Sequence, residues 1–295
     1  MTSEAKPPSL QAWALLILVS VIWGSSFILI KKGLITFSAW EVGTLRISIA
    51  CLALFPFAIR AFSKIDRSKL PFLFIVGGVG SFIPALLFAW AQTRLDSAIA
   101  GVVNSFVPIF VILIGYVFFK KGITRLSAVG IFLGFFGCVF VMLGGANFDL
   151  RGVNYYALLI LAATVMYAAN VNIIKYFLPD IKALHITSAS FVLISPFCIG
   201  YLFLATDFLD KASSHPQFWQ GMAYVATLGA VGTAFAMFVF NSLVKMASPV
   251  FASSCTYLIP IVSIAWGLID GEILNIYQYI GMAVILSGVW LANKK

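Results

Sequence analysis

Leu95-Asp96-Ser97-Ala98-Ile99-Ala100-Gly101-Val102-Val103-Asn104-Ser105-Phe106-Val107-Pro108-Ile109 opens an apolar stretch that runs on to Lys121 and is interrupted once, by a proline. Adding 152 to each number gives a second version, Ala247-Ser248-Pro249-Val250-Phe251-Ala252-Ser253-Ser254-Cys255-Thr256-Tyr257-Leu258-Ile259-Pro260-Ile261. Pro108 falls on Pro260, Ala100 on Ala252, Ile112 on Ile264 and Gly115 on Gly267. A hydrophobic segment broken at corresponding places in the two halves of a chain points to helices that unwind around a binding site.

The rest of the chain says what solvent those helices meet. Hydrophobic residues make up 62% of the sequence and charged residues 10%, against about 25% charged in a soluble globular chain. The charges cluster and leave long uncharged runs between them. A bilayer core needs about 20 apolar residues per helix, so these runs read as spans. Ten are expected, at 10–31, 38–60, 70–92, 96–119, 126–146, 153–175, 184–205, 217–241, 247–269 and 274–292. The fold class is therefore an all-α membrane protein with the lipid bilayer as its partner. The net charge of +9 belongs to loops. It gives no basic face on a soluble domain, so no nucleic-acid partner is expected. Cys51, Cys138, Cys198 and Cys255 all fall inside spans without disulfide or zinc spacing, and are expected to pack as small apolar residues.

Orientation follows from Lys and Arg. With the N-terminus inside, thirteen of the 19 fall in inner loops and five in outer ones, with Arg46 inside the second span. This places both termini in the cytoplasm of a multi-pass protein of the cell (inner) membrane. At an offset of 144 the first span matches the sixth: Leu15 with Leu159, Val21 with Val165, Ile30 with Ile174. At 152, Gly80 and Phe88 match Gly232 and Phe240. Each half then holds five spans, an odd number, so the halves, 1–146 and 147–295, are expected as two inverted five-helix repeats. That architecture places a cavity at the repeat interface and works by rocking one half against the other.

Trp23-Gly24-Ser25-Ser26-Phe27 resembles the opening of EamA-type members of the drug/metabolite transporter superfamily. The resemblance continues through Leu45-Arg46, through Ala98, Ala100 and Pro108, and through Ala247, Ala252 and Pro260, covering about residues 12 to 292. It implies a ten-helix inverted-repeat carrier that often exports amino acids, other metabolites or drugs. One departure is visible: the acidic residue often following the fourth span is Lys120 here, while Glu272 keeps it after the ninth.

The candidate cavity residues come from polarity, breaks and repeat matches. Arg46 is a charge within a span, which costs about 2.5–3.5 kcal/mol at a helix centre; it reads as a cation for a solute carboxylate, or as a structural donor to Glu41 or helix-end carbonyls. Proline clashes with the carbonyl four residues back, so Pro108 loosens Asn104 and Pro260 loosens Thr256. Trp23 and Tyr167 match across the repeat and read as aromatic walls, with Tyr257 a further candidate. Asn170 is an amide within a span. Gly130, Gly134 and Gly137, with Gly281 and Gly288, read as close packing of the fifth and tenth spans or as a dimer face; monomer and homodimer both stay open.

An enzyme is not expected. H-E-x-x-H, G-x-S-x-G and the phosphate-cradling G-x-x-x-x-G-K-[ST] are all missing from the sequence, and neither catalytic residues, metal ligands nor cofactors are assigned. No span carries Asp or Glu near its middle, which gives no support to a proton relay through a buried carboxylate. The expected function is export of small organic solutes by alternating access. The alternatives are an uptake permease or facilitative channel, and, outside transport, a membrane scaffold or sensor.

Overall fold

The computed structural model describes residues 9–120, 122, 124–145, 154–246 and 255–293. Residues 247–254, the entry into the second copy of the broken stretch, lie outside the described residues, as does Lys121 at the end of the first.

The first two helices begin where the sequence supplies caps. α1, Leu10–Gly33, starts behind Ser9, whose side chain accepts from the Ala12 N–H. α2, Ala39–Phe62, starts with a capping box: Ser38 accepts from the Glu41 N–H while Glu41 accepts from the Ser38 N–H at 2.7 Å. The next rods are α3 (Arg67–Ala91), α4 (Ser97–Phe119), α5 (Arg125–Gly145), α6 (Ala157–Phe177) and α7 (Ala183–Leu204). A short surface helix, Phe208–Ser214, leads into α8, which runs from Phe218 to Met246. α9 is Cys255–Ile269 and α10 is Ile276–Asn293. Among the described residues all regular structure is helical, and seven helices are long and apolar enough to cross a membrane. Three further apolar helices are shorter: Arg125–Val141, Cys255–Ile269 and Ile276–Ala292.

Two rods change pitch partway. α3 passes through a π turn at Gly78–Phe82 and α8 through another at Ala230–Phe235. The two turns contain Gly80 and Gly232, the pair matched at an offset of 152. α4 breaks at Ser105–Phe106, where the amides bond back three residues, to Val102 and Val103, before a new helix starts at Val107. Pro108 sits in the first turn of that new helix, where its missing N–H costs nothing. α9, by contrast, runs through Pro260 as one helix. The same residue at matched positions therefore gives a break in one rod and an internal proline in the other.

Lipid tails are as apolar as leucine, so helices associate by close packing rather than by hydrophobic exclusion. α5 and α10 are packed together along their length, and α2 is packed against α7. A Cβ on Gly130, Gly137, Gly281 or Gly288 would meet the backbone of the partner helix, so these glycines hold α5 and α10 in contact within one chain. α1 lies against α8 and α9, and α6 against α3 and α4. The four cysteines are free and buried.

Candidate functional site

Several of the polar groups inside the bundle lie at the two π turns. A π turn widens the helix by one residue and is frequent at functional sites. At the α8 turn, the Thr233 hydroxyl donates to the Leu228 carbonyl at 3.1 Å and accepts from Arg46 Nε at 3.1 Å. Arg46 stands two turns into α2, half-buried, and α8 comes against its backbone at Gly229. Of the two structural partners expected from the sequence, Glu41 is not used: its carboxylate caps its own helix and pairs with Lys211 on the short helix. None of the ion pairs among the described residues includes Arg46, so no described carboxylate compensates its guanidinium charge.

Ser26 of α1 lies against Gly232, and Trp23, one turn earlier, packs on Phe240 of α8 with ring centroids 5.2 Å apart. The other turn repeats this arrangement with different chemistry. Asn170 of α6 presses on Gly80, and Tyr167 stacks on Phe88 of α3 at 6.0 Å. Trp23 and Tyr167 thus serve matched places, each against the aromatic of its own π-turn helix, rather than facing each other as one pair. Gly77 of α3 meets the backbone of Ser190 in α7 as Gly229 meets that of Arg46. The offset from Arg46 to Ser190 is 144, the same as from Trp23 to Tyr167 and from Ser26 to Asn170.

The two groupings differ in what they leave unsatisfied. Around Gly232 stands a cation with spare donors. At the other turn Asn170 lies against Gly80 and Ser190 against Gly77, and Asn170 Oδ1 and Ser190 Oγ are buried without a hydrogen-bond partner. Unpartnered buried polar atoms cost roughly 1–3 kcal/mol each, so their collection at one place calls for a donor.

The remaining expected residues fall elsewhere or at the margins. Asn104 ends the first segment of α4, half-buried, one residue before the break, and Pro108 begins the second. Pro260 is buried in α9 and Thr256 half-buried. Tyr257 faces a cleft of about 310 Å³ shared with Leu286, Ser287 and Trp290 of α10, and is not grouped with Arg46. A second cleft, about 120 Å³, is lined by Lys32, Thr36, Gln217, Gln220 and Tyr224 where α1 ends and α8 begins. Sequence reasoning missed Thr233 and Ser190. The signal for Ser190 was present in the 144 offset; Thr233 had none, since its role depends on the π turn.

A third constellation closes one end of the bundle. α9 ends in a turn through Gly271, φ +82°, with Glu272 N–H bonding back to Gly267 at 2.9 Å and Gly271 N–H to Leu268 at 3.1 Å. This is a Schellman stop, and the left-handed glycine lets the chain turn at no steric cost. The turn delivers Glu272 to the start of α4. Its carboxylate accepts from Ser97 N–H at 2.8 Å, Ser97 Oγ at 2.6 Å, Ala98 N–H at 3.0 Å and Lys31 Nζ at 2.8 Å. Lys31 and Lys32 both pair with Asp270. Burial pushes the Glu272 carboxyl up, but the bonds from Lys31, Ser97 and Ala98 outweigh it and hold it below the ordinary value. The Lys32 bond holds Asp270 below its ordinary value, against a smaller effect of burial and helped by Lys31. Asp96, beside them, is raised by burial and by the Glu272 charge, with Lys31 opposing.

A bundle of long apolar helices with its ion pairs confined to one end is a multi-pass membrane protein. The model of the EamA-like transporter family matches it twice, over residues 11–143 and 154–294, and the chain belongs to that family. It is similar to an uncharacterized transporter of Archaeoglobus fulgidus, 25% identical over 288 residues that span 97% of this chain and 100% of the relative. It is similar to the uncharacterized inner membrane transporter YedA of Escherichia coli K12, 25% identical over 285 residues, 92% of this chain and 87% of that one. A relative named a probable terminal-alkyne amino-acid exporter, from Streptantibioticus cattleyicolor, is 23% identical over 288 residues, 96% and 93% of the two chains. A crystal structure 14% identical in sequence superposes with a TM-score of 0.61 over 96% of each chain, which bears on the fold alone.

Proposed function

We propose that this EamA-family transporter exports small organic solutes carrying an anionic group, by alternating access between two inverted five-helix halves, with Arg46 as the anion's partner. The observation that carries the reading is the half-buried Arg46 guanidinium, tied by one bond to the π turn of α8 and unmatched by any carboxylate among the described residues. A cation within a span is costly, and a solute carboxylate or phosphate supplies the missing charge. The two unpartnered acceptors at the other π turn favour a solute that also bears an N–H or O–H donor, and amino acids and related metabolites have that form.

The inverted-repeat reading, with halves near 1–146 and 147–295 and ten spans, is supported by paired neighbours. α1 against α8 and α9 corresponds to α6 against α3 and α4, while α2–α7 and α5–α10 are self-paired. The two family-model matches support the same division. Export is supported by the name of the Streptantibioticus relative, and cytoplasmic termini by the lysine and arginine asymmetry.

The test is flux in proteoliposomes for amino acids, for matched carboxylates lacking the amino group, and for matched amines lacking the carboxylate. Arg46→Ala is expected to lower carboxylate flux at least tenfold, the scale of a lost charge-assisted bond, and to leave amine flux within twofold. Equal losses for all three classes would make Arg46 a structural residue. Inside-out against right-side-out vesicles separates export from uptake.

A further inference from the structure

The start of α4 has two carboxylates for one set of donors. Glu272, arriving from another part of the chain, takes the Ser97 and Ala98 N–H groups. Asp96 occupies the cap position itself. Its backbone is extended, φ −62° and ψ 147°, and its carbonyl already accepts the first helical bond, from Ala100 N–H at 3.0 Å. This is the conformation in which an aspartate caps its own helix. Yet the Asp96 side chain makes no capping bond, and Glu272 holds the Ala98 N–H, one of the two amides such a cap would bind. Asp96 is left half-buried beside a second negative charge, an arrangement that costs free energy in the conformation seen.

The opposite end has no such pair. The residue matched to Glu272 at 152 is Lys120, and the residue matched to Asp96 is Ser248. The competition is therefore a property of one end alone.

Resting on the alternating-access reading above, we propose that the start of α4 is a two-position switch: Glu272 caps it when this end of the carrier is closed, and Asp96 replaces Glu272 when the end opens. Opening must withdraw Glu272 with the α9–α10 turn and would strand the first amides of α4. Asp96 takes the Ala98 amide by rotating one side chain, without moving the backbone. The open state then keeps a cap at the start of α4, and it is relieved of the Asp96–Glu272 repulsion that the closed state carries. Each position removes a cost that the other carries, which is what a two-state gate needs if both states are to be populated.

The test uses the full chain in lipid nanodiscs, with spin labels on Thr93→Cys and Ile273→Cys, two exposed positions flanking the gate. Pulsed electron paramagnetic resonance reads the distance between them. E272Q keeps an acceptor on Ser97 but loses the charge, so it raises the long-distance population and removes repulsion from Asp96. On that background D96A is expected to lower the ratio of long to short distances about fivefold, the effect of an ordinary missing cap. D96S, uncharged but able to cap, is expected to restore it. An unchanged ratio in D96A, or a D96S ratio equal to that of D96A, overturns the cap exchange while leaving the carrier reading intact. A single distance population throughout, E272Q included, overturns the gate together with the two-faced carrier. Both outcomes are independent of which solute is carried.

Discussion

The two ends of the bundle carry the same kind of helix termini and opposite electrostatics. At one end Lys31, Lys32, Asp270 and Glu272 form a connected cluster, and Glu41 pairs with Lys211 close by. At the other stand Arg60, Lys64, Arg67, Lys69, Lys120, Lys175 and Lys182, with no ion pair among the described residues. Asp66 there spends its carboxylate on Ser68, and Lys69 reaches the Phe177 carbonyl at 3.1 Å. The contrast turns on one pair of matched positions. Gly115 and Gly267 both accept a bond from the residue five later, Lys120 in one case and Glu272 in the other. The bond is common to both, but the left-handed residue is Lys120 itself in one turn and Gly271, one position before Glu272, in the other, and only the Glu272 side chain fastens its end. A repeated scaffold therefore need not be a symmetric machine.

The largest expected effect removes the fastening. Glu272→Ala deprives Lys31 of a buried partner, and should cost about 3 kcal/mol, in the range of a broken buried ion pair. Lys120→Ala should change stability by less than about 0.5 kcal/mol, as exposed substitutions do. Thermal unfolding in detergent measures both, and similar losses would dissolve the distinction between the ends.

Acid should act on the fastened end in two opposite steps. The groups facing one another there are Lys31, Lys32, Asp96, Asp270 and Glu272. Asp96 is raised above its ordinary value of about 3.9, so its charged form is disfavoured in the fold. Protonating it as pH falls through that raised value stabilises the closed end. Asp270 and Glu272 are lowered, so their contribution is complete above the ordinary carboxylate range and is lost only as pH falls through the lowered values. The closed population should first rise and then fall between pH 7 and pH values below about 4. A monotonic loss of the closed form, read by the same distance measurement, would remove Asp96 from the cluster.

The smallest effect is a loss at the unfastened end. Lys120→Glu places a carboxylate at the C-terminal cap of α4, where the helix dipole favours a cation, and is expected to destabilise by up to about 1 kcal/mol. A raised melting temperature would mean that a carboxylate at this end finds donors as Glu272 does at the other.

The helices were legible because lipid imposes a simple rule. Apolar runs give α1 at 10–31 and, despite Arg46, α2 at 38–60, against Leu10–Gly33 and Ala39–Phe62 observed. The π turns were not legible, since an extra residue in a helix apolar on all sides shifts no polar face. Gly80 and Gly232 matched in sequence, but a matched glycine does not announce a change of pitch. Pro108 and Pro260 were read alike, yet only α4 breaks, at a turn that seats Phe106 in the core. Arg46 was singled out by its charge, while its partner Thr233 lies 187 residues away and depends on the π turn to reach it. Glu272 was noticed as an acid at a membrane edge, and nothing local says that it belongs to the beginning of α4.

The Glu272 cap also has a consequence for how the chain is made. Ser97 and Glu272 are 175 residues apart, so at about 5–20 residues per second of synthesis the start of α4 emerges roughly 10–30 s before its partner exists. During that interval Asp96 is the only carboxylate close enough in sequence to cover the exposed amides. A residue that looks redundant in the finished molecule is the one available while the molecule is still unfinished, before the α9–α10 turn brings Glu272.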